Sequence, residues 1–260
     1  EVISDIKKTL SLTREQASLR DAYDIYQVYK KLLSDIKDAE EMIHDPELSD
    51  FVTLDVERRE VDVDTVYWSM KEDGIGYIEL TEFDAVSTEQ FKKGIEELKE
   101  QGMKALLVDL RNNPGGLLDV AVDIADIFVD TGKVVSISDK YENEEIYEAT
   151  EEGLLGMPVV VLVNGDSASA SEVLSGCLKD YSAATLVGTQ TFGKGIVQKI
   201  LPLGDGTAIK ITIAHYYTPN GTDIHGVGIT PDVVVEDDPA TKDVDEQMEK
   251  ALEVLKDMVK

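Results

Sequence analysis

The pattern of hydrophobic and polar positions changes period several times along the chain. Up to about residue 48 the sequence is polar. Tyr26, Tyr29, Leu32, Leu33 and Ile36 recur there at three- and four-residue spacing, which predicts helix with an amphipathic stripe. Asp45-Pro46 breaks that pattern. From Phe51 to Val66 apolar residues alternate, first Val52, Leu54 and Val56, then Val61 and Val63, as in a β-hairpin or two extended segments. From Gly74 onward, strand-like runs alternate with helical periods. Strands are predicted over 75–80, 105–110, 134–138, 158–163, 185–187, 197–201, 208–216 and 233–235. Helices are predicted over 88–101, with Phe91, Ile95 and Leu98 on one side, over 117–129, with Leu118, Val122, Ile124 and Ile127, and over 169–179. A last helix over 241–260 carries Met248, Leu252, Leu255 and Met258. Strand alternating with helix predicts an α/β domain. The chain therefore divides into a helical segment over 1–50, a hairpin or linker over 51–66, and an α/β core over 67–260 that ends in a helix.

Composition narrows the partners. The 260 residues suffice for one large domain or two small ones, and 42% apolar content supplies a full core. Against 25 basic residues stand 53 acidic ones, a formal net charge of −28. Such a surface repels nucleic-acid phosphates and anionic lipid heads, so no nucleic-acid partner is expected. The single cysteine, Cys177, falls in an apolar helical stretch and reads as a small core residue. No run approaches the ~20 apolar residues of a membrane span. The chain begins at Glu1 rather than Met and reads as a mature form or a fragment, with no targeting signal of its own.

Candidate chemistry is concentrated in two segments. Ser167-Ala168-Ser169-Ala170-Ser171-Glu172 follows an apolar run and an Asn164-Gly165-Asp166 turn, which predicts strand, tight turn and helix start. Such a turn exposes a serine and points helical N–H groups at whatever it attacks. A serine nucleophile needs a base, and no histidine lies near this segment. Phe192-Gly193-Lys194-Gly195 with Gln198 supplies a lysine, the other common base in such pairs. A third segment, Asp109-Leu110-Arg111-Asn112-Asn113-Pro114-Gly115-Gly116, joins a buried strand to a helix through a glycine turn.

Together these segments resemble the carboxyl-terminal processing protease family, the Ser–Lys peptidases of the tail-specific type. Gly74-Ile75-Gly76-Tyr77-Ile78 and Tyr217-Thr218-Pro219-Asn220-Gly221, running on to the stretch Ile224-His225-Gly226-Val227-Gly228-Ile229-Thr230-Pro231-Asp232, resemble the same family in the same order. The resemblance implies a layered, crotonase-like α/β core, no metal and no cofactor, and a serine endopeptidase acting near the C-termini of proteins or peptides. It implies an extracytoplasmic location and homodimerisation through the terminal helices. The family's nucleophile matches the middle serine, Ser169, leaving Ser167 as a helix N-cap and Ser171 facing away. Lys194 is then the general base, Gln198 the group that holds its amine, and Ala170 N–H one oxyanion donor. Gly115 is the first choice for the second donor and Gly116 the alternative.

An unperturbed lysine is almost wholly charged at pH 7, so a base at Lys194 is expected to be buried, between glycines that do not obstruct close packing. Asp109 and Arg111 are expected to form a structural ion pair. His225 is expected to order the glycine-rich loop rather than bind zinc. The family usually carries a PDZ domain of roughly 80–100 residues before its core. Residues 51–66 resemble only its closing strands, so most of that domain is expected to be missing and Lys194 to lie out of reach of Ser169 in the unliganded protein. The alternatives are a gated or inactive member that binds peptides through the same cleft, and a crotonase-like acyl-CoA enzyme with a similar core.

Overall fold

The computed structural model describes residues 30–31, 33–34, 36–37, 63–150, 156–204, 206–236 and 244–259. The chain divides into two compact units, Glu1–Val61 and Asp62–Lys260. In the first, Lys30, Lys31, Leu33, Ser34, Ile36 and Lys37 are helical, and Leu33 and Ile36 of the predicted stripe are exposed. The rest of that stripe and the alternating segment before residue 63 lie outside the described residues.

The second unit runs in chain order through β1 (Val66–Met70), β2 (Ile75–Leu80), α1 (Ser87–Glu100), β3 (Ala105–Asp109), α2 (Leu118–Ala125), β4 (Gly132–Asp139) and β5 (Glu144–Ala149). It continues through β6 (Val159–Val163), α3 (Ala170–Asp180), β7 (Thr185–Gly188), β8 (Ile196–Pro202), β9 (Ala208–Tyr217), β10 (Val233–Val234) and α4 (Glu246–Val259). The α/β class is as the sequence implies. Strands β1 and β5 were not anticipated. In β5, Glu-Glu-Ile-Tyr-Glu-Ala offers little apolar signal, and it is held by antiparallel pairing to β4. Helix α2 ends a turn earlier than its apolar period suggests, because Ile127 and Phe128 N–H groups bond three residues back and tighten the chain.

Two sheets result. The larger has the order β1-β2-β3-β6-β7-β10, parallel except for the antiparallel pair β1–β2. Every residue of β3 and β6 is buried, as expected of central parallel strands covered on both faces. The side-chain period of two assigns their residues to opposite faces. Leu106, Val108, Val159, Val161 and Val163 join the core under α1, α2 and α3. Ala105, Leu107, Val160 and Leu162 meet Ala251 and Leu255 of α4. Met258, counted in the predicted stripe of α4, is exposed instead, and Ala251 takes the inward position. Cys177 is wholly buried in α3, and burial pushes its thiol up to about 12. The smaller sheet has the order β5-β4-β9-β8 and is antiparallel.

Helix α4 is fixed at its start by charge. Asp245 accepts the Met248 N–H at 2.8 Å, which caps the first turn and sets the helix start later than the predicted residue 241. Its carboxylate also meets the Arg111 guanidinium at 2.8 and 2.9 Å. Arg111 is bound in turn to Asp109, at 3.0 and 2.7 Å. The Asp109–Arg111 ion pair inferred from sequence thus joins the end of β3 to the last helix.

Burial raises the Asp245 carboxyl. The hydrogen bonds from Arg111 and Met248 N–H, with the Arg111 charge, outweigh that effect and hold it below its ordinary value. A depressed carboxyl contributes stability above its unfolded value of about 3.9 and loses it as pH falls through the folded value. Asp245→Ala is therefore expected to cost about 1 kcal/mol at pH 7. The difference from the parent should shrink below about pH 4. Denaturant unfolding at pH 7 and pH 3 measures both, and equal midpoints at pH 7 would remove the cap from the account.

Candidate active site

The three segments singled out in the sequence come together at the carboxyl ends of parallel strands, the usual position of a site in such a sheet. The turn after β3 carries 110–116, the turn after β6 carries 164–169, and the loop after β7 carries 189–195. Asn112 and Asn164 bond reciprocally between the first two turns. Asn112 N–H donates to Asn164 Oδ1 at 2.9 Å, and Asn164 Nδ2 donates to Asn112 Oδ1 at 2.9 Å.

Ser169 stands at the N-cap position of α3 with φ 57° and ψ −113°. A non-glycine residue there carries backbone strain of roughly 1–3 kcal/mol, which persists only when its surroundings enforce it. Those surroundings are the bonds on either side. Ala168 N–H donates to Asn113 O at 3.0 Å, and Ser169 N–H donates to Glu172 Oε2 at 2.9 Å. The neighbouring serines have other work. Ser167 Oγ donates to Leu110 O at 2.7 Å and Ser171 Oγ to Asn113 O at 3.0 Å, both buried. Ser167 is therefore a strut between two turns and not the N-cap expected of it. Ser169 takes the cap position because the chain turns into α3 only after the strained residue. Ser169 itself is half-buried.

Glu172 is the residue whose importance the sequence reading missed. It is completely buried, yet both oxygens are filled. Oε1 accepts from Thr191 Oγ1 and Gly193 N–H, each at 2.6 Å, and Oε2 accepts from Ser169 N–H at 2.9 Å and Lys194 N–H at 2.8 Å. One carboxylate thus joins the main chains that carry Ser169 and Lys194. The available signal was a glutamate three residues after a serine at a helix start, the capping-box spacing.

The Lys194 side chain departs from expectation. Gly193 and Gly195 are buried, but Lys194 is exposed. No hydrogen bond or ion pair joins its ammonium to Ser169 or to any other described residue. Glu172 holds the lysine's main chain, while β8, which follows, is the edge strand of the smaller sheet with most residues exposed. Gln198 lies on that exposed stretch, opposite Thr212 and beside a bulge at Val197/Gln198. The close packing foreseen at the glycines is real. A Cβ on Gly195 would meet His225 N at 2.4 Å, and Gly226 N–H donates to Gly193 O at 2.9 Å. His225 N–H is held by Asp223 Oδ1 at 2.8 Å, and its ring meets His215 edge-on at 5.0 Å between centroids.

The glycine turn lies against the strained serine. A Cβ on Gly115 would sit 2.8 Å from Ser169 Cβ and 2.9 Å from Ala170 N, so only glycine fits. Ala170 N–H, the first of α3, has no hydrogen-bond partner among the described residues. Gly115 N–H donates to Asn113 Oδ1 at 2.9 Å.

Comparison with known proteins places this constellation. The model of peptidase family S41 matches residues 74–235, more than half of the chain. A carboxy-terminal-processing protease of Bartonella bacilliformis is 43% identical over 64% of this chain and 39% of its own length. A carboxyl-terminal-processing protease of Synechocystis is 42% identical over 70% of this chain and 44% of its own. The chain thus spans about two fifths of the length of these relatives. The solved structure of a photosystem II D1 C-terminal processing protease matches with a TM-score of 0.63 and 35% identity, over 76% of this chain and 54% of the other. The chain belongs to peptidase family S41.

Proposed function

We propose that this chain carries the catalytic core of a serine endopeptidase that cleaves proteins or peptides near their C-termini. The observation that carries the reading is the strained Ser169 at the start of α3, tied through Glu172 to the Lys194 main chain. In this mechanism the neutral Lys194 amine takes the Ser169 Oγ proton as Oγ bonds to the scissile carbonyl carbon. The carbonyl oxygen becomes an oxyanion, received by Ala170 N–H and a donor from the 114–116 turn. Collapse breaks the C–N bond, and the proton on Lys194 passes to the leaving amine. Water then adds to the acyl ester with Lys194 again accepting a proton, and Ser169 is released. Gln198 steers the lysine amine. No step calls for a metal or cofactor.

Lys194 must turn inward for this to occur. Its main chain is already held by Glu172, so the motion is one of side-chain rotation. Charge supports a substrate with a free carboxylate end. From Tyr181 to Thr222 the only acidic residue is Asp205, against Lys194, Lys199 and Lys210, in a chain of net charge −28. A stretch with three lysines and one aspartate repels an anionic terminus less than the strongly acidic remainder of the chain. An extracytoplasmic location accords with the family resemblance. A second reading, a gated or inactive member that binds peptides in the same cleft, is favoured by one observation: the Lys194 ammonium is not bonded to Ser169.

Ser169→Ala is expected to abolish cleavage of an unfolded substrate such as casein. Its folding stability should stay within about 1 kcal/mol of the parent, the ordinary scale of an N-cap change. Cleavage at the parent's rate would refute the nucleophile. An active-site serine probe separates the two readings, because the gated member stays unlabelled at Ser169.

Glu172→Gln keeps size but places an amide nitrogen against N–H donors. It is expected to lower kcat by about 10²-fold, the effect of displacing reacting groups by about 1 Å. Serine-probe labelling should slow in parallel, while KM changes little. A variant with full kcat would mean that the carboxylate only fills space.

A further inference from the structure

Asn113 is completely buried at the meeting point of three elements. Its Nδ2 donates to Leu80 O at 2.6 Å, at the end of β2. Its main-chain oxygen accepts from Ala168 N–H and Ser171 Oγ, each at 3.0 Å, in the turn and helix around Ser169. Its Oδ1 accepts from Gly115 N–H at 2.9 Å. The bond to Leu80 decides the carboxamide's orientation, since only the nitrogen can donate to a carbonyl. Oδ1 must then face Gly115 N–H.

The adjoining peptide is fixed from the other side. Phe83 N–H donates to Gly115 O at 3.0 Å, and Leu117 N–H donates to Phe83 O at 2.8 Å. No peptide bond described is cis. In a trans peptide the C=O and the following N–H point in opposite directions. Gly116 N–H therefore points away from Phe83, and it has no hydrogen-bond partner among the described residues. Gly116 is exposed, whereas Gly115 is buried.

We infer that Asn113 is a positioning residue of the oxyanion site. It occupies Gly115 N–H, so that the turn presents Gly116 N–H, with Ala170 N–H, to the developing oxyanion. The inference rests on Ser169 as the nucleophile. The choice between the glycines follows from satisfaction of buried groups. Lending Gly115 N–H to a substrate would strand Oδ1 in the interior without a donor, whereas Gly116 N–H is given up by nothing. Gly115 keeps the role of letting the turn approach Ser169, and Asn113 fixes which face of the turn the substrate meets.

The test uses the parent protein labelled with 15N-glycine and a peptide aldehyde, whose carbonyl carbon bonds to Ser169 Oγ and whose oxygen enters the oxyanion site. The Gly116 amide proton is expected to shift downfield on adduct formation while Gly115 stays in place. An adduct that moves Gly115 and leaves Gly116 unmoved overturns this inference alone. An aldehyde that forms no bond to Ser169 overturns the nucleophile assignment and this inference with it. In a second measurement, Asn113→Ala is expected to lower kcat by about 10²-fold, the loss typical of one oxyanion donor, with KM within about threefold. Aldehyde affinity should fall in parallel. A folded Asn113→Ala protein with unchanged or higher kcat would show that the carboxamide merely competes for Gly115 N–H and positions nothing.

Discussion

The buried carboxylate of Glu172 is the constraint on which the site depends. An ionised carboxyl removed from water is tolerated only when its oxygens are fully bonded. Here four donors satisfy it: Thr191, Gly193 and Lys194 from one loop and Ser169 from the other. Neither loop can drift without stranding charge in the interior. The strained backbone of Ser169 is held by the same group, because its N–H is one of the four donors that satisfy the buried carboxyl.

Around that carboxylate the fold supplies rigidity in layers. Central strands β3 and β6 are buried on both faces, so the turns that leave them start from fixed points. Asparagines and serines then brace those turns against each other, through Asn112 with Asn164, Ser167 with Leu110, and Ser171 with Asn113. The Arg111 cluster extends the bracing to the last helix through Asp109 and Asp245. Exposure is left to the Lys194 side chain and to much of the ribbon of β8 and β9.

Much of this is legible in the sequence. Continuous apolar runs at 105–110 and 158–163 gave the two central strands, because a strand buried on both faces has no polar alternation to lose. The Ser-Ala-Ser-Ala-Ser-Glu and Phe-Gly-Lys-Gly segments pointed to the two loops that meet. Strand β5 is not legible because half of its residues are glutamate and its apolar residues do not alternate, and it exists through pairing with β4. The N-cap at Ser167 was misread because a serine before a helix looks the same whether it caps or braces.

The sequence by itself determined the fold class, the order of the elements and the family, because period, turn residues and motif order are local properties of the chain. It also determined that a serine and a lysine would be presented on neighbouring loops. Only the tertiary structure decided how their side chains stand. Burial of Glu172 against the 191–194 loop, and the turning of the Asn113 carboxamide by Leu80 O, each depend on partners from distant segments. No local pattern records whether a hydrogen-bond donor has already been taken by a residue elsewhere in the fold.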